Sequence, residues 1–243
     1  LLFLLLLYLI MKTIYAFVPA RAGSERIKNK NIKLLGSKPL IQYTLDQIKN
    51  SNYIEKTFIS TDYNNLEKKL RIDNSVNLIK RPKKITKSNS LDIDWILHTL
   101  SKLENDMPDI IVLLRPTSPF RSSEFIDDSI KLFLDQKNFD SARAVKLVKE
   151  HPDKMWEEKD NRIIPIAGFE KDGEDLHSMQ YKSLRKVFIQ TSSIEILNTN
   201  SIMKYKKLSG KRVLPIFSDY LNSFSIDYES DFSKAQEILA KIQ

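Results

Sequence analysis

Short, nearly continuous apolar runs alternate along the chain with longer stretches in which apolar residues return every three or four positions. The first rhythm belongs to strands buried on both faces, the second to helices with one buried side. Thr13 to Val18 reads as a first strand, because Ile14, Tyr15, Phe17 and Val18 are β-prone and Pro19 is expected to end the ladder. Pro39 to Lys49 follows as a helix with Leu40, Ile41, Leu45 and Ile48 on one side. Lys56 to Ser60 is a second strand, and Thr61-Asp62 is expected to cap a helix from Tyr63 to Leu70. Val76 to Ile79 is a third strand. Leu91, Trp95, Ile96, Leu100 and Leu103 give a helix, and Asp109 to Leu114 is apolar enough for a central strand.

Helix Ser123 to Leu134 and strand Ser141 to Val148 continue the alternation. It then degrades between His151 and about Lys186, where Pro152, Pro165, Gly168 and Gly173 punctuate short polar segments. Such a break reads as an inserted arm. Strand Phe188 to Leu197, short helix Asn198 to Tyr205, edge strand Val213 to Phe217 and helix Glu229 to Ile242 complete the pattern. The prediction is an α/β fold, a Rossmann-like open and mostly parallel sheet with helices on both faces and an arm inserted at 151–186.

Composition narrows the chemistry. The 243 residues suit one α/β domain with a small annex, and 42% hydrophobic content supports a sizeable core. The absence of cysteine removes disulfide frameworks and thiolate metal sites and fits a reducing compartment, so a cytoplasmic protein is expected. His98, His151 and His177 lack metal-ligand spacing, and no Ser-His-Asp arrangement is legible. A formal charge of +8 invites an anionic partner. Residues 1–10, a run of leucines with Phe3, Tyr8 and Ile10, are too few to span a bilayer and lack the basic flank of a signal peptide. They are read as an extension preceding a natural start at Met11, with no stable membrane insertion.

The densest candidate chemistry follows the first strand, in Pro19-Ala-Arg-Ala-Gly-Ser-Glu-Arg-Ile-Lys-Asn-Lys-Asn31. Arg21, Arg26, Lys28 and Lys30 crowd a loop in which Gly23 and Ser24 leave room for main-chain N–H groups to face an anion. A polyphosphate would fit, and so would a solvated basic loop. Ligands of open α/β sheets sit beyond the carboxyl ends of strands, and two further candidates lie there. Lys80-Arg81-Pro82 follows the third strand, with Ser88 to Asp92 beyond it. Arg115-Pro-Thr-Ser-Pro-Phe-Arg121 follows the fourth, where two prolines fix the backbone and Thr117 and Ser118 offer hydroxyls. Asp227, in Ser225-Ile-Asp-Tyr-Glu-Ser-Asp231, is a carboxylate available to a divalent ion beside phosphates, whereas Asp231 suits a helix amino end.

Arg21-x-x-Ser24 with Lys30-Asn31, the Arg81-Pro82 pair, the Arg115 to Arg121 segment and Asp227 resemble, in that order, the motifs of the sugar cytidylyltransferases, and within them the acylneuraminate cytidylyltransferases. The resemblance runs from about Met11 to Ile242. It implies transfer of CMP from CTP to the anomeric hydroxyl of an acidic nine-carbon sugar, with release of pyrophosphate. It implies catalytic roles for Arg21 and Lys30 on the triphosphate, and nucleotide binding by Ala20, Ser24, Arg26, Asn31, Arg81 and Asp92. Arg115, Thr117, Ser118, Lys154 and Gln190 are expected at the sugar, with Arg115 holding its carboxylate. Asp227 would hold Mg2+, and the arm would build a homodimer. The sequence departs from the family pattern at Glu25, where a Lys is usual, at Asp92, where Ser is frequent, and at Ser225, where Asp is usual. Arg26 is expected to replace the missing Lys while Glu25 faces solvent.

Two alternatives stay open. One is a cytidylyltransferase for 3-deoxy-manno-octulosonic acid, or another sugar nucleotidyltransferase. The other is binding to nucleic acid or an anionic surface through Lys204-Tyr-Lys-Lys207 and Lys211-Arg212, although no nucleic-acid partner is expected.

Overall fold

The computed structural model describes residues 12–169, 173 and 175–242. The leucine-rich extension and the expected start at Met11 lie outside them.

The order of elements follows the hydrophobic rhythm. Strand β1 (Ile14–Ala20) leads through a basic loop and a two-residue ladder, Leu34–Leu35 against Lys38–Pro39, into helix α1 (Leu40–Lys49). Then come β2 (Lys56–Thr61), β3 (Val76–Lys80), α2 (Asp92–Leu100), β4 (Ile110–Leu113), α3 (Ser123–Asp135) and β5 (Ser141–Leu147). The chain continues through β6 (Trp156–Lys159), β7 (Arg162–Pro165), β8 (Phe188–Asn198), α4 (Thr199–Tyr205), β9 (Val213–Phe217) and α5 (Glu229–Ile242).

Seven strands form one sheet in the order β9-β5-β8-β4-β1-β2-β3. Strands β4, β1, β2 and β3 run parallel, and β8 lies antiparallel to β4. The chain passes from β1 to β2 on one side and returns to β4 on the other. Strand order therefore reverses at β1, and the crevice beyond its carboxyl end is where such sheets hold ligands.

Alternation along β1 feeds two cores. Ile14, Ala16, Val18 and Ala20 pack with Ile41, Leu45 and Ile48 of α1 and Ile126, Ile130 and Phe133 of α3. On the opposite face Tyr15 and Phe17 meet Phe58, Trp95, Ile96 and Leu100. A third cluster joins Ile27, in the basic loop, to Leu35, Leu40, Ile226 and the α5 residues Phe232, Ala235 and Leu239. Ile27 is 1% exposed and Ile226 is fully buried. Burying two such side chains contributes about 2 kcal/mol each, and it draws the first loop against the segment that precedes α5.

Two expectations are corrected. Pro19 does not end the first ladder: it stands opposite Ser60 in a parallel register that runs to Ala20. No α-helix forms over 63–70. Asn65 adopts a left-handed conformation (φ 56°), only a single 3-10 turn at Leu66–Lys69 follows, and of that turn only Leu66 is buried. Asp62 does not cap it either, since its Oδ1 accepts the Ala22 N–H at 2.7 Å and so ties the basic loop to the end of β2.

The chain divides into two compact units, one formed by residues up to Ala144 and from Thr191 onward, the other by Val145–Gln190. Within the smaller unit β6 and β7 form an antiparallel hairpin. Asp153, 1% exposed, accepts from Arg185 at 2.7 Å, and Nε2 of His151 meets the Arg185 carbonyl at 2.9 Å.

Candidate active site

A cavity of about 400 Å³ opens at the carboxyl ends of β1, β3 and β4. Its wall is made by Arg21, Ser24, Glu25, Arg26, Lys30 and Asn31 from the first loop, by Arg81, Ser88, Ser90, Asp92 and Trp95 around α2, by Arg115, Pro116 and Thr117 after β4, and by Asp227. Residues from four separate stretches of sequence thus share one surface.

Lys30 and Asp227 face each other in this cavity. The Lys30 Nζ lies 3.6 Å from Oδ1 of Asp227 and donates to the Ile226 carbonyl at 2.8 Å. The lysine side chain is 15% exposed and the carboxylate 48%, so the carboxylate is half-open to the cavity while the lysine is largely sheltered. Burial pushes the Lys30 pKa below the usual lysine value; Asp227 opposes that shift, and Arg26 and Arg21 reinforce it. A polyphosphate entering here would meet three cations that repel one another and one carboxylate that a phosphate alone would not tolerate.

The loop is held by its backbone. The Ser24 N–H donates to the Ala22 carbonyl at 2.9 Å, and that of Ala22 goes to Asp62. Those two N–H groups are engaged within the protein. Arg21 donates to the Lys87 carbonyl at 2.9 Å, Asn31 donates to the Arg21 carbonyl at 3.0 Å, and the Arg26 guanidinium lies 4.8 Å over the Tyr228 ring. Glu25 is exposed, as expected, but it also borders the cavity.

Arg81 is 5% exposed, stacks 5.1 Å from the Trp95 ring and donates to the hydroxyl and carbonyl of Ser60, both at 3.1 Å. Burial brings its pKa down to about 10. Asp92 accepts from the Trp95 indole at 2.8 Å and from Arg115 at 2.6 Å. Burial works against its charge, but Arg115, Trp95 and Arg81 outweigh burial and hold its carboxyl below the usual range.

Arg115 lines the cavity with its charge already paired. Its guanidinium bridges Asp92 and Glu195 rather than standing open for a sugar carboxylate, and Glu195 also accepts from Arg143. Burial disfavours the Arg115 charge, but the two carboxylates outweigh it and raise its pKa. Glu195 is 3% exposed and was not among the expected site residues. Its partners, Arg115 in the loop after β4 and Arg143 on β5, are distant in sequence, so no local spacing announces it.

Ala20 and Ser118 are fully buried and do not line the cavity, and the Ser118 hydroxyl has no hydrogen-bond partner. Thr117 does line it, and its carbonyl accepts the Ile226 N–H at 2.9 Å. Lys154 and Gln190 belong to the smaller unit, where Lys154 donates to the carbonyls of His177 (2.7 Å) and Met179. Ser225, in place of an acid, donates to Oδ2 of Asp227 at 3.1 Å, and Asp231 accepts the N–H groups of Asp227 and Tyr228 at 2.9 and 2.8 Å. Asp231 thus serves the helix amino end. Among the described residues no group of three or more His, Cys, Asp or Glu could hold a metal ion by itself, and no helix is long and apolar enough to cross a membrane. The Lys204 to Arg212 run lies outside the cavity, with Lys204 and Lys211 on the Tyr205 ring at 5.2 and 5.8 Å.

This fold and cleft place the protein among the α/β nucleotidyltransferases. A family model described as Cytidylyltransferase matches residues 15–163, and the chain belongs to that family. It is 27% identical over 231 residues to the N-acylneuraminate cytidylyltransferase of Escherichia coli O18:K1:H7, covering 94% of this chain and 52% of the relative. It is 26% identical over 235 residues to post-translational flagellin modification protein B of Campylobacter coli, covering 95% and 96% of the two chains. A CMP-N,N'-diacetyllegionaminic acid synthase of Legionella pneumophila is 33% identical over 122 residues, 49% of this chain and 52% of that one. The chain spans about half the length of the N-acylneuraminate cytidylyltransferases that it matches. Among solved structures, CMP:2-keto-3-deoxy-manno-octonic acid synthetase complexed with CTP superposes with a TM-score of 0.68 at 12% identity, covering 95% of this chain and all of that one, and supports the fold.

Proposed function

We propose that the chain transfers CMP from CTP to the anomeric hydroxyl of an acidic nine-carbon sugar, of the sialic, legionaminic or pseudaminic type. The observation that carries the reading is the convergence of Arg21, Arg26, Lys30 and Arg81 with Asp227 on one cavity, together with the relatives named for N-acylneuraminate and legionaminic acid activation. In this reaction the anomeric oxygen forms a bond to the α-phosphorus in line, and the bond from that phosphorus to the bridging oxygen of the leaving group breaks. The hydroxyl proton passes to solvent, and pyrophosphate leaves with the electron pair. Positioning and electrostatic stabilisation supply the acceleration.

Arg21 and Lys30 hold the triphosphate and stabilise charge that accumulates on the leaving phosphates. Arg26 and the Ser24 hydroxyl contact phosphate oxygens, Asn31 faces the ribose, and Arg81 with Asp92 flanks the base. Asp227 suits a magnesium ion, which takes one or two protein carboxylates and completes its shell with phosphate oxygens and water. When bound, that ion neutralises phosphate charge. Lys30, with its Nζ 3.6 Å from Asp227, stands beside that position, where its ammonium would meet phosphate. Thr117 borders the sugar, and Arg115 acts by fixing Asp92. Lys154, in the 151–186 arm that builds a homodimer, and Gln190, on the strand that follows it, reach the sugar, and the protein works in the cytoplasm; that part of the reading rests on the family resemblance.

The test is pyrophosphate release from CTP, with and without Mg2+, across N-acetylneuraminic, legionaminic and pseudaminic acids and 3-deoxy-manno-octulosonic acid. Magnesium-dependent release with one of the nine-carbon acids is expected. Release only with the eight-carbon acid would move the substrate to that class, and no release with any of the four would reject the reading.

A further inference from the structure

Arg121 is 1% exposed, yet among the described residues no carboxylate lies within ion-pair distance of it. Its guanidinium instead donates to neutral oxygens of two elements: the Ser193 carbonyl in β8, and the Thr44 hydroxyl (3.3 Å) and Gln47 Oε1 (3.0 Å) in α1. Its Nε is buried without a partner. Burial, with a smaller contribution from Arg115, lowers its pKa to about 9. A buried cation held only by dipoles is costly, and replacing it with an apolar residue of similar bulk is frequently neutral or stabilising. Its presence therefore points to a purpose other than stability.

The purpose is visible in what it ties down. Gln47, the acceptor for Arg121, also donates to the Pro119 carbonyl at 2.7 Å, so guanidinium and amide together clamp the 115–121 loop to α1. At the loop's centre the Thr117 carbonyl accepts the Ile226 N–H (2.9 Å), and the Ile226 carbonyl accepts Lys30 Nζ (2.8 Å) beside Asp227. Hydrogen bonds joined by the short backbone segment 117–119 thus connect Arg121 to the lysine and carboxylate of the cavity. We propose that Arg121 is a positioning residue, whose clamp on the 115–121 loop sets the height of Ile226–Asp227 against Lys30. The inference rests on the cytidylyl-transfer reading for its catalytic consequence but not for its structural one.

Two measurements test it on the full chain. The first needs no substrate: the rate at which an amine-selective reagent labels Lys30, followed by peptide mass analysis, in wild type and Arg121→Ala. Release of the Ile226 carbonyl should raise that rate severalfold while other lysines are unchanged. Guanidinium ion should bring it back, whereas urea, equally planar but neutral, should not. The second is pyrophosphate release, which should fall about tenfold to a hundredfold through kcat, as expected for misplacement of about an ångström, with KM for CTP nearly unchanged and the same selective rescue. Should Arg121→Ala not fold, Gln47→Met removes one arm of the clamp at nearly constant bulk, and the same rise in Lys30 labelling is expected. Unchanged labelling in a folded variant, or rescue by urea as well as guanidinium, would overturn the proposal. Altered labelling in a chain whose wild type releases no pyrophosphate would keep the clamp and reject the transfer reading instead.

Discussion

Lys30 places its Nζ 3.6 Å from a carboxylate oxygen of Asp227 and 2.8 Å from the carbonyl just before it. Those two residues come from opposite ends of the chain, and the apolar cluster of Ile27, Ile226 and the inner face of α5 brings them together. In the structure each charge of the pair already has the other as a partner; the proposed reading gives Lys30 a phosphate and Asp227 a divalent ion instead.

Removing the cation should therefore cost catalysis more than folding. Lys30→Met is expected to slow pyrophosphate release by a factor of about 100 to 1,000, the loss seen when one preorganised donor is deleted from a charge-stabilising site. The unfolding midpoint should change little, because an ion pair at 3.6 Å whose carboxylate is half-exposed contributes under about 1 kcal/mol. Steady-state kinetics with a thermal melt checks both.

The pH profile carries a sign. Burial depresses the Lys30 pKa below the usual lysine value, so the folded protein releases this proton before the unfolded chain does. That contribution to stability grows as pH rises from the folded towards the unfolded pKa. CTP binding has the opposite dependence: it should weaken over the same alkaline window, as the ammonium is lost. Lys30→Arg should move that limb upward. Affinity measured across alkaline pH, with an identical limb in both proteins, would rule out Lys30 as the titrating group.

Ser225 supplies a metal-dependent prediction. Its hydroxyl now donates to Asp227 at 3.1 Å. Ser225→Asp would set two carboxylates side by side, lowering the melting temperature in chelator and giving a larger upward shift on adding Mg2+ than the wild type shows. Melting curves with and without the ion compare the two.

The charge row across the sheet is a stability element. Glu195, 3% exposed, accepts from both Arg115 and Arg143. Glu195→Ala should lower unfolding free energy by about 1.5–3 kcal/mol, the loss of charge-assisted hydrogen bonds from arginines of which Arg115 still keeps Asp92, as read from denaturant midpoints at constant slope. Asp92 should then lose part of its fixed orientation as well.

Gly210 is a backbone requirement. It has φ +63°, and a Cβ there would lie 2.4 Å from Cβ of Asp140, which accepts the N–H groups of Lys211 and Arg212 at 2.7 and 2.9 Å. Gly210→Ala should cost about 1–3 kcal/mol by strain alone, again from denaturant unfolding.

The sheet and its helices were legible because strands buried on both faces leave uninterrupted apolar runs, as in Ile110 to Leu113, and because α3 shows its buried side through Ile126, Ile130 and Phe133. The stretch 63–70 misled because its spacing suggested a helix while Asn65 takes a left-handed turn that ends any continuation. Arg21, Lys30 and Asp227 could be picked out as polar residues at strand ends or before the last helix. Ile27, the buried anchor that makes their meeting possible, is a single apolar residue in a basic run and gives no periodic signal. Arg115 shows the same limit from the other side. Its residue type and the family resemblance suggested a carboxylate partner, but not that Asp92 and Glu195, distant in sequence, are the carboxylates it meets in the structure.

The most direct test of the cleft is a calorimetric titration of CTP, in Mg2+, into the wild type and Lys30→Met. Saturable one-site binding to the wild type, weakened at least tenfold in the variant, is the predicted result. Equal affinity in the two proteins, or no binding to either, would contradict it.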